Sequence, residues 1–200
     1  MNARVKDGVR TAGFMAALSI ALITCIAALS LVTAERVQRN SALFLQKTVM
    51  AVAGETVPDN PAEVAEWFST SVKSEPPDAP SLYRVYGTDK IRPRALVYKR
   101  NAQGLWGNIT AVVGFDPARR AFLETRFIEH NETPGLGARI SEEWFARQTA
   151  GKTGPFKLMP EGTSSPAPTE IDAITGATVT SSAVRDMLNK LLLEIKETRP

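Results

Sequence analysis

The chain reads as an α+β protein, with one N-terminal transmembrane helix followed by a mainly antiparallel sheet flanked by helices. Three observations predict this. Residues 11–34, "TAGFMAALSIALITCIAALSLVTA", contain no charged residue. Four short segments between 82 and 130 are rich in Val, Ile, Tyr, Phe and Thr, and short turn-like connectors separate them. A final segment from Ser182 repeats apolar residues at helical spacing.

The apolar stretch comes first. A helix needs roughly 20 apolar residues to cross a bilayer core, and 11–34 supplies them. A cleaved signal peptide is the competing reading, and "VTA" does place small residues at a suitable site. Signal cores usually run about 7–15 apolar residues, however, so the longer stretch is read as an uncleaved anchor in the lipid bilayer. Arg4, Lys6 and Arg10 precede it, while Arg36, Arg39 and Lys47 follow. The counts nearly balance, but the tight N-terminal cluster and the large following domain favour a cytoplasmic N-terminus. The expected division is 1–34 for the N-terminus and span, 35–80 for a helical connector and 81–200 for the sheet domain.

Composition narrows the function. Two hundred residues, 44% hydrophobic and 22% charged, suit one domain plus an appendage. A net charge of +3 without a dense Lys/Arg block gives no nucleic-acid signature. The one cysteine, Cys25, lies inside the span, so no disulfide or thiolate metal site forms within the chain. The one histidine, His130, excludes multi-histidine zinc and di-haem sites. His130 reads as a structural polar residue, with proton relay as the alternative.

Beyond the span, "ERVQRNSALFLQKTVM" mixes charges with Val37, Leu43, Phe44 and Val49 and extends the anchor helix. In "DNPAEVAEWF", Asn60 caps a second helix, Pro61 takes its first position and Glu63 completes a capping box. Trp67 and Phe68 pack. "SEPPDAP", 74–80, then breaks helical structure. Strands follow over 82–87, 94–100, 108–116 and 121–130, with "NAQG" and "DPARR" as hairpin connectors. The meander has an apolar face that the flanking helices cover. "SEEWFARQTAG" forms a short helix capped by Ser141, and 158–170 is a surface loop. Val184, Met187, Leu188, Leu191, Leu192 and Ile195 then make the stripe of a helix packed on one face.

Two stretches concentrate polar and flexible residues. In "DAITGATVTSS", Gly176 and Ala177 leave the backbone open to a large group approaching Thr178. The helix that follows directs unpaired N–H groups at this spot, which favours a phosphate. Plain N-capping by Thr178, Thr180 or Ser181 is the competing reading, and spacing does not separate Thr178 from Thr180. In "HNETPGLGARI", Pro134, Gly135 and Gly137 build a tight loop. Its N–H groups suit a planar ligand, whose edge Glu132 and Thr133 would bond. An ordinary strand-to-helix turn explains the same residues.

Together these stretches resemble the FMN-binding domain family. "DAITGAT" matches the Asp-x-x-(Ser/Thr)-Gly-Ala-Thr pattern through which a flavin transferase attaches FMN, and "ETPGLG" matches the companion loop. The chain over 1–200 is similar to the G subunits of Rnf-type ferredoxin–NAD oxidoreductases, and to the C subunits of sodium-translocating NADH–quinone oxidoreductases. The resemblance implies a covalent FMN phosphoester at Thr178, within the pattern residues Asp172, Thr175, Gly176 and Ala177. Thr180, Ser181 and the helix start near Ser182 would face the phosphate, and Glu132, Thr133, Leu136 and Gly137 would border the ring. Trp106 and Trp144 are candidates for stacking on it, burial being the alternative for each.

The implied function is electron relay inside an ion-translocating complex of the bacterial inner membrane. The domain would sit on the periplasmic side, beside other subunits, after maturation by the flavin transferase. No metal site is implied in this chain. The absence of a GxGxxG fingerprint after a strand leaves nicotinamide to a partner. A flavin-free accessory subunit, with "TGAT" as a plain cap, is the alternative.

Overall fold

The computed structural model describes residues 3–76 and 81–197, with side chains from residue 7 onward. The side chains of Arg4 and Lys6, residues 77–80 of the expected breaker and residues 198–200 lie outside it. Compactness divides the chain into two units, Met1–Ala42 and Leu43–Pro200.

The first unit is helical. Helix α1 runs unbroken over Ala3–Val52 and carries on into the second unit, as the charged continuation after Ala34 predicts. It is long and apolar enough to cross a membrane, with a mean hydropathy of 2.4 over its most apolar window. Phe14, Ile20, Ile23, Ile26 and Leu29 are all at least 63% exposed, which suits a helix whose solvent is lipid. Thr24 and Thr33 donate their hydroxyls to the carbonyls of Ile20 and Leu29, each at 2.8 Å. These bonds pair both threonine hydroxyl hydrogens in an apolar medium.

In the second unit, helix α2 covers Pro61–Ser71 behind the Asn60 cap. The Asn60 side chain accepts from the Ala62 N–H at 3.0 Å and donates Nδ2–H to Glu63 at 3.0 Å. The capping box is therefore closed side chain to side chain. The sheet is an antiparallel meander in the order β1 (Val72–Glu75), β2 (Leu82–Tyr86), β3 (Pro93–Gln103), β4 (Asn108–Asp116) and β5 (Ala121–Glu129). Four strands match the expectation. The fifth, β1, lies within the stretch read as a helical connector. Its sequence, "VKSE", carries no strand signal, because an edge strand that pairs only with β2 tolerates polar residues. Strand β3 also runs through Asn101–Gln103, so "NAQG" is mostly strand and the turn falls at 104–107.

Both sheet faces are covered, where the sequence predicts one apolar face. Val112, with Tyr83, Val85 and Val97 of β2 and β3, packs on Val49 and Val52 at the end of α1, and Trp67 and Phe68 of α2 lie against the same core. Ile109, Ala111, Val113 and Phe115 face the other core, with Phe122 and Phe156. Strand β4 is buried from Ile109 to Phe115 for this reason. Gly114 permits the close approach of α1: a Cβ there would lie 2.6 Å from Val52 Cγ1 and 3.0 Å from the Val52 carbonyl oxygen.

After β5, a 3-10 turn covers Gly137–Ser141 and helix α3 covers Glu143–Arg147. Ser141 does not cap α3. Glu142 holds that position, and the Ser141 hydroxyl is 2.9 Å from His130 Nε2 instead. Strands β6 (Lys157–Met159) and β7 (Glu170–Asp172) flank the Pro-rich loop as a short parallel pair. Helix α4 covers Thr178–Glu197 and buries Val184, Met187, Leu188, Leu191 and Leu192 on the β4 core. Each such side chain contributes about 1.5–3 kcal/mol on full burial. Helix α4 begins at Thr178, four residues before the predicted Ser182, which changes what the hydroxyl cluster does.

Candidate functional site

The "DAITGAT" and "ETPGLG" stretches meet. Glu132 is 5% exposed, and a carboxylate removed that far from water needs donors. It has two: the Trp106 backbone N–H at 3.1 Å on Oε1, and the Thr180 hydroxyl at 2.5 Å on Oε2. Gly104 and Gly137 leave room for the two oxygens. A Cβ on Gly104 would lie 2.4 Å from Oε1, and one on Gly137 would lie 2.5 Å from Oε2 and 2.7 Å from Thr180 Oγ1. Gly176 has φ +78°, a conformation that only glycine adopts without strain, and a Cβ there would touch Leu136 Cδ2 at 3.0 Å.

The early start of α4 sorts the hydroxyls. Ser181 donates to the Ala177 carbonyl at 3.0 Å and accepts from the Ile174 N–H at 3.0 Å, fully buried. Thr180 is committed to Glu132. Neither caps the helix. Thr178 is its first residue, exposed, and its hydroxyl has no hydrogen-bond partner among the described residues. The first i→i+4 bond of α4 runs from the Ser181 N–H to the Ala177 carbonyl, so the N–H groups of Thr178, Val179 and Thr180 have no partner one helical turn earlier. A free hydroxyl therefore stands beside free N–H donors, at the positive end of a 20-residue helix.

Asp172 lies deeper, 6% exposed, and accepts from the Ser164 N–H at 2.9 Å. Its backbone is gripped by Gln148, which accepts from the Asp172 N–H at 2.7 Å and donates to its carbonyl at 3.2 Å. Asp172 thus braces the 160–169 loop. Thr175 is held from outside the motif: its N–H donates to Glu161 at 2.7 Å, and Glu161 pairs with Arg139 at 2.8 Å. The Arg139 hydrogen bond, helped by the Thr175 N–H, holds the Glu161 carboxyl down to about 2. Glu161, Arg139 and Gln148 escape a reading of the sequence, since no local spacing links them to the "TGAT" segment.

The tryptophans differ. Trp106 is 64% exposed rather than buried, and its indole N–H donates to Thr133 Oγ1 at 3.0 Å. Leu136 is likewise exposed next to Gly176. Trp144 instead stacks under Arg139, with the guanidinium carbon 5.6 Å from the ring centre, and edge-on to Phe145. His130 Nδ1 accepts from the Glu132 N–H at 3.3 Å.

Fold and site define a class: an α+β domain, headed by a helix able to span a membrane, that presents a free threonine hydroxyl at a helix start beside a glycine-rich loop. Residues 104–193 match the FMN-binding domain family. The chain is 30% identical over 132 residues to the G subunit of the Na(+)-translocating ferredoxin:NAD(+) oxidoreductase complex of Acetobacterium woodii, covering 64% of this chain and 62% of the relative. It is 34% identical over 90 residues to the G subunit of the proton-translocating ferredoxin:NAD(+) oxidoreductase complex of Clostridium ljungdahlii, covering 45% and 47%. The match thus spans less than two thirds of either relative's length. The fold is that of Shewanella oneidensis NqrC, with a TM-score of 0.64 at 19% identity over 74% of this chain and 90% of that one.

Proposed function

We propose that this chain is a membrane-anchored flavoprotein subunit, carrying FMN as a phosphoester on Thr178 and relaying electrons within an ion-translocating oxidoreductase complex. The observation that carries the reading is the sorting of hydroxyls. Thr180 and Ser181 are spent on Glu132 and on backbone groups, while Thr178 stands exposed and unpartnered at the start of α4. Among the described residues, no hydrogen bond supports the capping role that a flavin-free accessory subunit gives the cluster.

The residues present fit the group. Thr178 offers the attachment oxygen, and the first N–H groups of α4 suit the phosphate. Glu132, Thr133, Leu136, Gly137 and the tethered Trp106 offer an exposed, part-apolar border for the ring. Bound FMN supplies one- and two-electron chemistry, and the protein supplies position and electrostatics. Attachment by a separate flavin transferase asks no nucleophile activation of this chain, in keeping with a Thr178 hydroxyl that has no basic partner among the described residues. With residues 11–34 as the anchor and the N-terminal cations inside, the domain lies on the periplasmic face of an inner membrane. The names of the similar subunits support a complex that uses ferredoxin and NAD(+), with the NADH–quinone type as the neighbouring possibility.

The test is ultraviolet fluorescence of the full chain on a denaturing gel, after production together with a flavin transferase. A fluorescent band at the size of this chain is expected. A dark band from a host that flavinylates a control protein overturns the reading.

A further inference from the structure

His130 is the polar group beside the site that the proposed function leaves unused. Its Nδ1 accepts the Glu132 N–H at 3.3 Å, and its Nε2 lies 2.9 Å from Ser141 Oγ. A ring nitrogen that accepts carries no proton, so the imidazole is neutral, with its hydrogen on Nε2 donated to Ser141. A second proton would land on Nδ1 and set two donors against each other. The Glu132 amide would lose its acceptor. Glu132 is the residue whose carboxylate joins Thr180 to the Trp106 backbone.

The ring is within reach of protons. His130 is half-buried and lines an open cleft of about 580 Å³ between the end of α1, β5 and the 3-10 turn. The charged groups sharing that cleft are Arg126 and Glu129 of β5. Arg126 is already tied to Glu124 at 2.8 Å and to Glu143 at 3.1 Å. From α1 the cleft receives Phe44 and Thr48, and from the 3-10 turn and α3 it receives Ile140, Ser141 and Ala146, all uncharged. Glu132 is the remaining titratable neighbour.

We propose that His130 is the positioning residue of the ring-side loop: its unprotonated Nδ1 fixes the Glu132 amide, and a proton there releases that amide and loosens the Glu132–Thr180–Trp106 cluster. The latch is closed while Nδ1 is unprotonated and open once it carries a proton. Only the flavin readout of this inference rests on the proposed function.

The experiment uses the full chain in detergent micelles, produced with a flavin transferase, and has two readouts across pH 5–8. One is the amide signal of Glu132 and the indole signal of Trp106 in nitrogen–proton NMR, followed with the His130 imidazole. The other is visible absorption of the flavin. An esterified phosphate has no second ionisation near pH 6, unlike a free one, so the cofactor adds no titration of its own.

In the parent chain, the Glu132, Trp106 and flavin signals are expected to move with the midpoint of His130. In His130→Asn, a side-chain carbonyl accepts the N–H two residues on and does not ionise, so the high-pH positions persist throughout. In His130→Leu the acceptor is gone, and the low-pH positions appear at every pH. Signals of Glu132 that stay still while His130 titrates overturn the inference, as does an Asn variant that titrates like the parent. Colourless protein removes the flavin reading alone, because the NMR arm does not need the cofactor. If the Leu variant does not fold, the Asn variant decides.

Discussion

Thr180 donates its hydroxyl hydrogen to the buried Glu132 carboxylate across 2.5 Å, joining two sequence motifs 48 residues apart. That bond separates the two threonines of "TGATVT": one is structural and the other is free. Thr180→Val is therefore expected to lower stability by about 1.5–3 kcal/mol, the range for a hydrogen bond to a charged group, and to leave flavin attachment intact. Chemical unfolding in detergent gives the first number and gel fluorescence the second.

Two glycines with positive φ make a controlled comparison. Gly176 (φ +78°) would place a Cβ 3.0 Å from Leu136, whereas Gly135 (φ +74°) faces open space. Alanine at either position is expected to cost about 1–2 kcal/mol of backbone strain. Only Gly176→Ala should also displace Leu136 and alter flavin absorption. Equal spectra for the two variants would mean that Leu136 does not border the ring.

Acid acts on the Thr175 support. The Glu161 carboxyl is held to about 2 by Arg139 and the Thr175 N–H, below its ordinary 4.5. A depressed carboxylate stabilises the fold above the unfolded value, and that contribution fades as pH falls from about 4.5 towards 2. Carboxyl-carbon NMR should find Glu161 titrating well below the exposed glutamates, and rising towards them in Arg139→Gln. A midpoint in the ordinary range for the parent chain would contradict the pairing.

Leu188 tests the core beneath the site. It is fully buried on α4 against the sheet. Leu188→Ala is expected to cost about 2–5 kcal/mol, with the spread set by how far the site collapses. A loss under about 1 kcal/mol by urea unfolding would fall below that range and mean that α4 does not pack as described.

Local chemistry is legible in the sequence, and long-range pairing is not. The 11–34 stretch, the Asn60-Pro61 helix start, four strands and the stripe from Val184 to Ile195 all follow from periodicity and caps within a few residues. Strand β1 is hidden because "VKSE" is an edge segment whose only partner is β2. The parallel β6–β7 pair is hidden because a ten-residue loop separates two three-residue strands. The start of the "TGAT" helix reads four residues late, since hydroxyls before an apolar stripe look like caps. They are instead the first turn, drawn into the helix by the Ser181 and Thr180 bonds. The "ETPGLG" loop is legible as a motif, but Glu132 meeting Thr180, and Glu161 holding Thr175, exist only in three dimensions.

The central claim concerns one oxygen, and intact mass measures it most directly. The full chain produced with a flavin transferase should weigh one FMN less one water above its sequence, Thr178→Ala should lose that increment and Thr180→Val should keep it. An unmodified parent chain, or an increment that survives Thr178→Ala, would contradict the account.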